Sequence, residues 1–176
     1  MLTFESLIES LEIQSLCNVV DTQGTANDMT TGDWLKMIGA RALVVFLKEA
    51  GTAGDDPTIV LEQASDNAGT GAKALTFSTI YRKESTTSIQ SVGTWTKTTQ
   101  AAASTYTNLT SAESYLCWAI EIRESDFDGD SSPGFKYLRA TVADTGSGSA
   151  QLGVIFVIFG QLRYGGAASI HPDSTA

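Results

Sequence analysis

The chain is poor in the residues from which most active sites are built. It has one histidine, His171, and two cysteines, Cys17 and Cys117, far apart in sequence. One histidine and two distant cysteines make a poor zinc ligand set, and a Ser-His-Asp or Cys-His device would have to draw its base from the polar tail "GGAASIHPDSTA". Two cysteines are too few for a secreted disulfide framework. Their apolar settings, "SLCNVV" and "YLCWAI", predict buried, reduced thiols. Charge is also scarce: 18% of residues carry one, against about a quarter in an average globular chain. The shortage is one-sided, with 11 basic residues against 20 acidic ones and a formal net charge of -9. A field of that sign repels phosphate backbones and anionic bilayers, which argues against nucleic-acid and membrane partners. No run reaches the roughly 18 apolar residues of a membrane span. The opening "MLTFESLIESLEIQSL" has no basic leader, and Glu5, Glu9 and Glu12 interrupt it, so it does not read as a signal peptide. The expectation is a product made and used in soluble form.

What replaces the missing charge is Ser, Thr, Gly and Ala around an apolar content of 42%. That composition suits strands with short polar outer side chains, and 176 residues suffice for one domain with a core. Phe4, Leu7, Ile8 and Leu11 fall at i, i+3, i+4 and i+7, which predicts a short amphipathic helix; an extended arm is the competing reading. After it the period drops to two. "SYLCWAIEIRE" alternates most clearly, with Leu116, Trp118, Ile120 and Ile122 on one face. In "ALTFSTIYRK", Leu75, Phe77, Thr79 and Tyr81 are expected to share a face, and "SVGTWTKTT" puts Trp95 opposite its threonines. Turn clusters such as "GTAGDD", "SDNAGTG" and "DTGSGS" separate the strands. The predicted fold is all-β, a β-sandwich of jelly-roll-like type with a short N-terminal helix or arm. Residues 1–17 form the helix or arm, residues 18–164 the sandwich, and residues 165–176 a tail. Two runs do not alternate, "LVVFL" (Leu43 to Leu47) and "VIFVIF" (Val154 to Phe159). Both faces of such strands should be dry, which a two-layer sandwich does not provide unaided.

No enzyme motif survives inspection, so no catalytic residue and no cofactor are expected. "GTGAK" (Gly69 to Lys73) lacks the second glycine before the lysine and the hydroxyl after it that a phosphate loop requires. "DFDGDSSPG" places Asp126, Asp128 and Asp130 at calcium-loop spacing, but Ser131 stands where the loop's glycine belongs and Tyr137 where its closing glutamate belongs. These three aspartates remain a calcium candidate beside the simpler reading, a solvated acidic turn. "ADTGSGS" (Ala143 to Ser149) contains the Asp-Thr-Gly of aspartic proteases, yet one copy supplies one carboxylate where that chemistry needs two. Trp95, among threonines on an exposed face, is the aromatic best placed to meet a partner or a glycan.

Taken together, "GTAGDDPTIVLEQASDNAGTGAKAL", "VGTWTKTTQAAASTYT", "YLCWAIEIRESDFD" and "KYLRATVADTGSGSAQLGVIFVIFGQLRY" give the chain a look that resembles small virion proteins of tailed bacteriophages. The resemblance covers most of Leu43 to Tyr164 and is one of style and segment order. It implies a non-enzymatic virion structural protein, a capsid decoration or cement protein on the outer surface of the phage head, made in the bacterial host cytoplasm. Its implied partners are the major capsid protein and further copies of itself, as a trimer. A carbohydrate- or host-surface-binding module and a neck, tail or baseplate protein are the alternatives. The residues expected to meet a partner are Phe4, Leu7, Ile8 and Leu11 in the N-terminal segment, and Trp95.

Overall fold

The two non-alternating runs become neighbouring central strands. The structure, a computed structural model, describes residues 11–17, 19–21, 28–49, 56–107, 114–128, 134–143 and 151–162. Phe4, Leu7, Ile8 and the tail from residue 165 onward lie outside these. In chain order the elements are β1 (Leu11–Ser15), β2 (Val20–Asp21), a helical turn α1 (Asp28–Thr31), β3 (Leu35–Lys36), β4 (Gly39–Glu49), β5 (Thr58–Ala64), β6 (Lys73–Ala74) and β7 (Phe77–Ser85). They continue with β8 (Thr96–Ala103), β9 (Thr105–Thr107), β10 (Tyr115–Arg123), β11 (Tyr137–Val142) and β12 (Leu152–Leu162). All ladders are antiparallel. Sheet A runs β1-β12-β4-β10-β7-β8, with β2 also on β12; sheet B runs β3-β11-β5-β6, with β9 also on β5. The expected all-β sandwich is what forms.

The pairing is nested along the chain. β1 pairs with β12, β3 with β11, β4 with β10, and β5 with β9. First meets last and inner meets inner, so nearly every ladder closes a long loop, and few of the contacts are local. The β7–β8 hairpin extends sheet A beyond β10.

Between the sheets lies the core. Sheet A contributes Val44 and Phe46, Trp118, Ile120 and Ile122, and Ile155, Val157 and Phe159; sheet B contributes Ile59, Leu61, Leu138, Ala140 and Val142. Trp118 is edge-on to both Phe46 and Tyr106, at centroid distances of 5.5 and 4.9 Å. The predicted alternation of β10 is therefore the observed one. That of β7 is not: Leu75 and Phe77 point inward as expected, but Ile80 is buried and Tyr81 exposed. The cause is a register irregularity between Phe77 and Thr79, where Phe77 pairs with Ala103 and Thr79 with Thr99. Gln100 occupies this bulge, and its side-chain amide donates to the carbonyls of Phe77 and Thr105 in place of ladder bonds.

The N-terminal segment is extended where it is described. Leu11 to Ser15 is a strand, so Leu11 belongs to an arm and not to the last turn of a helix. The arm is welded on: Leu16 is fully buried, and its amide donates to the Ile155 carbonyl. Cys17 is buried and not disulfide-bonded, and its Sγ accepts the Ile155 amide at 3.1 Å, bridging the kink between β1 and β2. α1 closes the edge beside β11 with Met29 in the core. Gly32 follows it at φ +55°, where an added Cβ would stand 2.7 Å from the Ala140 carbonyl oxygen. Only glycine meets both demands.

Gly32→Ala is expected to destabilise the fold by about 1–3 kcal/mol, the usual cost of a left-handed non-glycine residue, read as a lower urea midpoint at unchanged slope. Trp118→Phe removes the indole donor that reaches Glu84 Oε1 at 2.9 Å. It should cost a further ~1–3 kcal/mol by leaving a partly buried carboxylate under-bonded.

Candidate functional site

The two sheets finish their outer faces differently. On sheet B, Arg139 donates through Nε and Nη2 to Glu62 at 2.9 and 2.6 Å and through Nη1 to the Thr31 carbonyl at 3.1 Å, with its guanidinium 4.5 Å from the Trp34 ring centroid. That face is a polar, self-satisfied surface. On sheet A the ladder registers stack outward-facing residues in rows. One row reads Ile13, Ile158, Leu43, Glu121; the next Ser15, Phe156, Val45, Ala119, Tyr81, Lys97; the next Val154, Leu47, Cys117, Lys83. From β1 to β10 the rows are almost wholly apolar; from β7 to β8 they carry aromatics and lysines.

The apolar half is only partly covered. Val45, hemmed in on all sides, is 7% exposed, while Leu43, Leu47, Val154, Phe156 and Ile158 are partly buried. Ile13 and Leu152, at the rim, are 60% and 53% exposed. The expectation of dry strands thus holds on the inner faces of β4 and β12, while among the described residues their outer faces are only partly covered. Neighbouring side chains shield the middle of this surface, and no layer of the described residues lies over it.

Cys117 sits where the apolar half meets the polar one, between Leu47 and Lys83. It is partly buried, where the sequence predicted full burial. The loss of hydration there pushes its thiol up, and the Lys83 ammonium pulls it back in part.

At the bottom of the polar half the sheet opens. The β7–β10 ladder runs from Ser85 and Tyr115 to Tyr81 and Ala119 and then stops, although β7 extends back to Phe77 and β10 on to Arg123. The gap is a cleft of about 320 Å³ between Thr76–Thr79, Tyr81 and Lys97 on one side and Glu121, Arg123 and Asp126 on the other. The bulge that redirects β7 is what parts the strands. Glu121 Oε1 accepts from Arg41 at 3.1 Å and from Arg123 at 3.4 Å, and Asp126 Oδ2 accepts the Arg123 amide at 2.7 Å. Lys97 has no ion pair or hydrogen bond among the described residues.

The remaining residues singled out from sequence are dispersed. Asp126 caps the turn after β10, Asp128 pairs with Lys73, and Asp130 lies outside the described residues; among those described, no cluster of three metal-ligating side chains exists. Lys73 of "GTGAK" follows a turn between two strands, with its ammonium over the Phe135 ring at 4.1 Å, so the strand-to-helix context of a phosphate loop is absent. Asp66 organises that turn by accepting the Thr70 and Ala68 amides, and its contacts with Thr70 hold its carboxyl low. Asp144 and His171 lie outside the described residues. Trp95 is 47% exposed, as expected, and the Lys83 ammonium lies 5.2 Å from its ring centroid. Sequence reasoning missed the cleft because its walls are assembled by a bulge that no local pattern announces. Among the described residues no helix is long and apolar enough to cross a membrane. The chain matches no family model, no curated protein and no solved structure.

The raised thiol is open to direct measurement. Alkylation of native protein by iodoacetamide should label Cys117 and spare Cys17. Its rate should rise with pH to a midpoint above that of free cysteine in the same buffer, and Lys83→Met should move the midpoint higher still. Because the folded thiol titrates above the unfolded one, its contribution to stability is present below the unfolded value and lost as pH rises through the folded one.

Proposed function

We propose that this chain is a non-enzymatic structural subunit of a tailed-phage virion, a capsid decoration or cement protein that assembles with copies of itself through the outer face of sheet A. The observation that carries the reading is the apolar surface of Ile13, Leu43, Leu47, Leu152, Val154, Phe156 and Ile158 on a continuous ladder of β1, β12 and β4. Monomers rarely leave so continuous a patch in water. An acidic chain of net charge -9 associates with itself best where that charge is absent, and the rows of Ile13, Ser15 and Val154 carry no carboxylate from β1 to β4, although Asp21 and Glu49 flank Leu152 at one end. The nested pairing of β1–β12, β3–β11, β4–β10 and β5–β9 supports reading the sandwich as jelly-roll-like, an architecture that viral capsid domains use. The resemblance in segment style supplies the virion context and the trimer as the expected state.

A cement subunit acts by buried area. It binds only the assembled shell and so stabilises it by mass action, through contacts of about 1,600 Å² or more. The major capsid protein is the second partner, and the N-terminal segment with Phe4, Leu7 and Ile8 is the clamp proposed to reach it. The fold limits which part of that segment is free to act as a clamp. Since Leu16 is core and Leu11–Ser15 is ladder, the clamp ends at residue 10.

Phe156→Lys is expected to leave a folded chain that sediments as a monomer where the parent sediments as a trimer. Removal of residues 1–10 should leave the trimer intact and abolish decoration of heads. A quantitative gel of purified virions should find hundreds of copies per particle; about a dozen would place the subunit at the neck or tail, and a monomeric parent would sink the assembly reading.

A further inference from the structure

We propose that the cleft between β7 and β10 binds an acidic sugar, a hexuronic or sialic acid residue presented by a glycan. Its volume of about 320 Å³ lies at the small end of ligand pockets, which run from about 300 to 1,000 Å³. That leaves room for a single ring with its substituents. The lining is overwhelmingly polar and of mixed charge, which excludes an apolar ligand and disfavours a bare metal ion beside two cations.

Each group has a counterpart on such a sugar. Lys97 is a cation without an ion pair or hydrogen bond among the described residues, in a chain whose net charge is -9. A ligand carboxylate gives it one. Glu121 and Asp126 are acceptors already held in place, the first by Arg41 and Arg123 and the second by the Arg123 amide. Their remaining lone pairs suit hydroxyl protons, as carboxylates beside a polyol do. Tyr81 stands opposite Lys97 across the β7–β8 ladder and is 37% exposed, so its ring offers a wall for the C–H edge of a pyranose. The same two carboxylates repel a polyphosphate, so a nucleic-acid strand fits the cleft badly. Trp95 lies two positions before Lys97, outside the cleft's lining, with the Lys83 ammonium near its ring.

The site shares the outer face of sheet A with the apolar rows, Glu121 ending the row of Leu43 and Tyr81 and Lys97 continuing that of Val45, but its walls belong to β7, β8 and the end of β10, away from β1, β12 and β4. It is tested on the full chain by amide NMR titration with sodium glucuronate and sodium N-acetylneuraminate, with glucose and sodium acetate as controls. The expected result is saturable shifts at residues 76–81, 97 and 121–126 for at least one acid, with a Kd on the order of 1 mM. Lys97→Met should weaken that acid at least tenfold, Lys97→Arg should retain it, and both variants should melt with the parent. No saturable shift with either acid would overturn the proposal. So would glucose binding as well as glucuronate, or a Lys97→Met variant that binds like the parent. Acetate reproducing the same shifts at the same concentrations would reduce the site to a bare anion contact and overturn the sugar assignment.

Discussion

The β4–β12 ladder is the constraint on which the rest of the molecule depends. It runs from Leu152 opposite Glu49 to Leu162 opposite Gly39 and joins the two most apolar segments of the chain. One face of it, with Val44, Phe46, Ile155, Val157 and Phe159, must be covered by sheet B for the fold to exist. A one-residue slip would exchange that face for the other, and both are apolar, so hydrophobicity alone specifies this register poorly. Polar groups at the strand ends add the missing discrimination. Lys48 is fully buried beside β12 and donates to Gln151 at 2.9 Å; in the β10–β7 ladder of the same sheet, Trp118 is tied likewise to Glu84, which also takes Arg82. Each bond forms in one register only, and a slip would strand a buried charge or donor.

From that ladder the nested order follows outward. β10 and β1 flank it within sheet A, while β11 and β5 pair across the core in sheet B. Short, polar strands finish the edges, and the threonine- and alanine-rich β8 at one margin is exposed over most of its length. Outer surfaces divide by composition. Sheet B satisfies its face internally through Glu62, Arg139 and Trp34, whereas sheet A leaves an apolar field beside a polar cleft. A subunit with one finished face and one unfinished face is suited to sit against something, which is the physical content of the structural role proposed for it.

The cleft exists because β7 and β10 part company. From Ser85 to Tyr81 β7 pairs with β10; beyond Tyr81, toward the bulge that it makes against β8 between Phe77 and Thr79, it no longer does. Gln100 makes the break tolerable by replacing lost backbone bonds with side-chain ones. Local irregularity thus produces both the misread face of β7 and a concave polar surface beside it. The two outcomes have a single cause, and a reading by period alone loses both together.

Periodicity, turn residues and composition by themselves determined the all-β sandwich, the inward face of β10 and the exposure of Trp95, because a strand's alternation is a local property that burial merely ratifies. They also marked Leu43–Leu47 and Val154–Phe159 as apolar on both sides, which is true of the residues whatever covers them. Only the tertiary structure decided that these two runs are neighbours, that Leu11 enters a strand, that Asp126 and Asp128 serve different partners, and that Lys97 and Glu121 line one cleft. Those facts depend on which distant segments pair and in what register. Long-range pairing is fixed by the sum of the core's contacts and leaves no trace in any short stretch of chain.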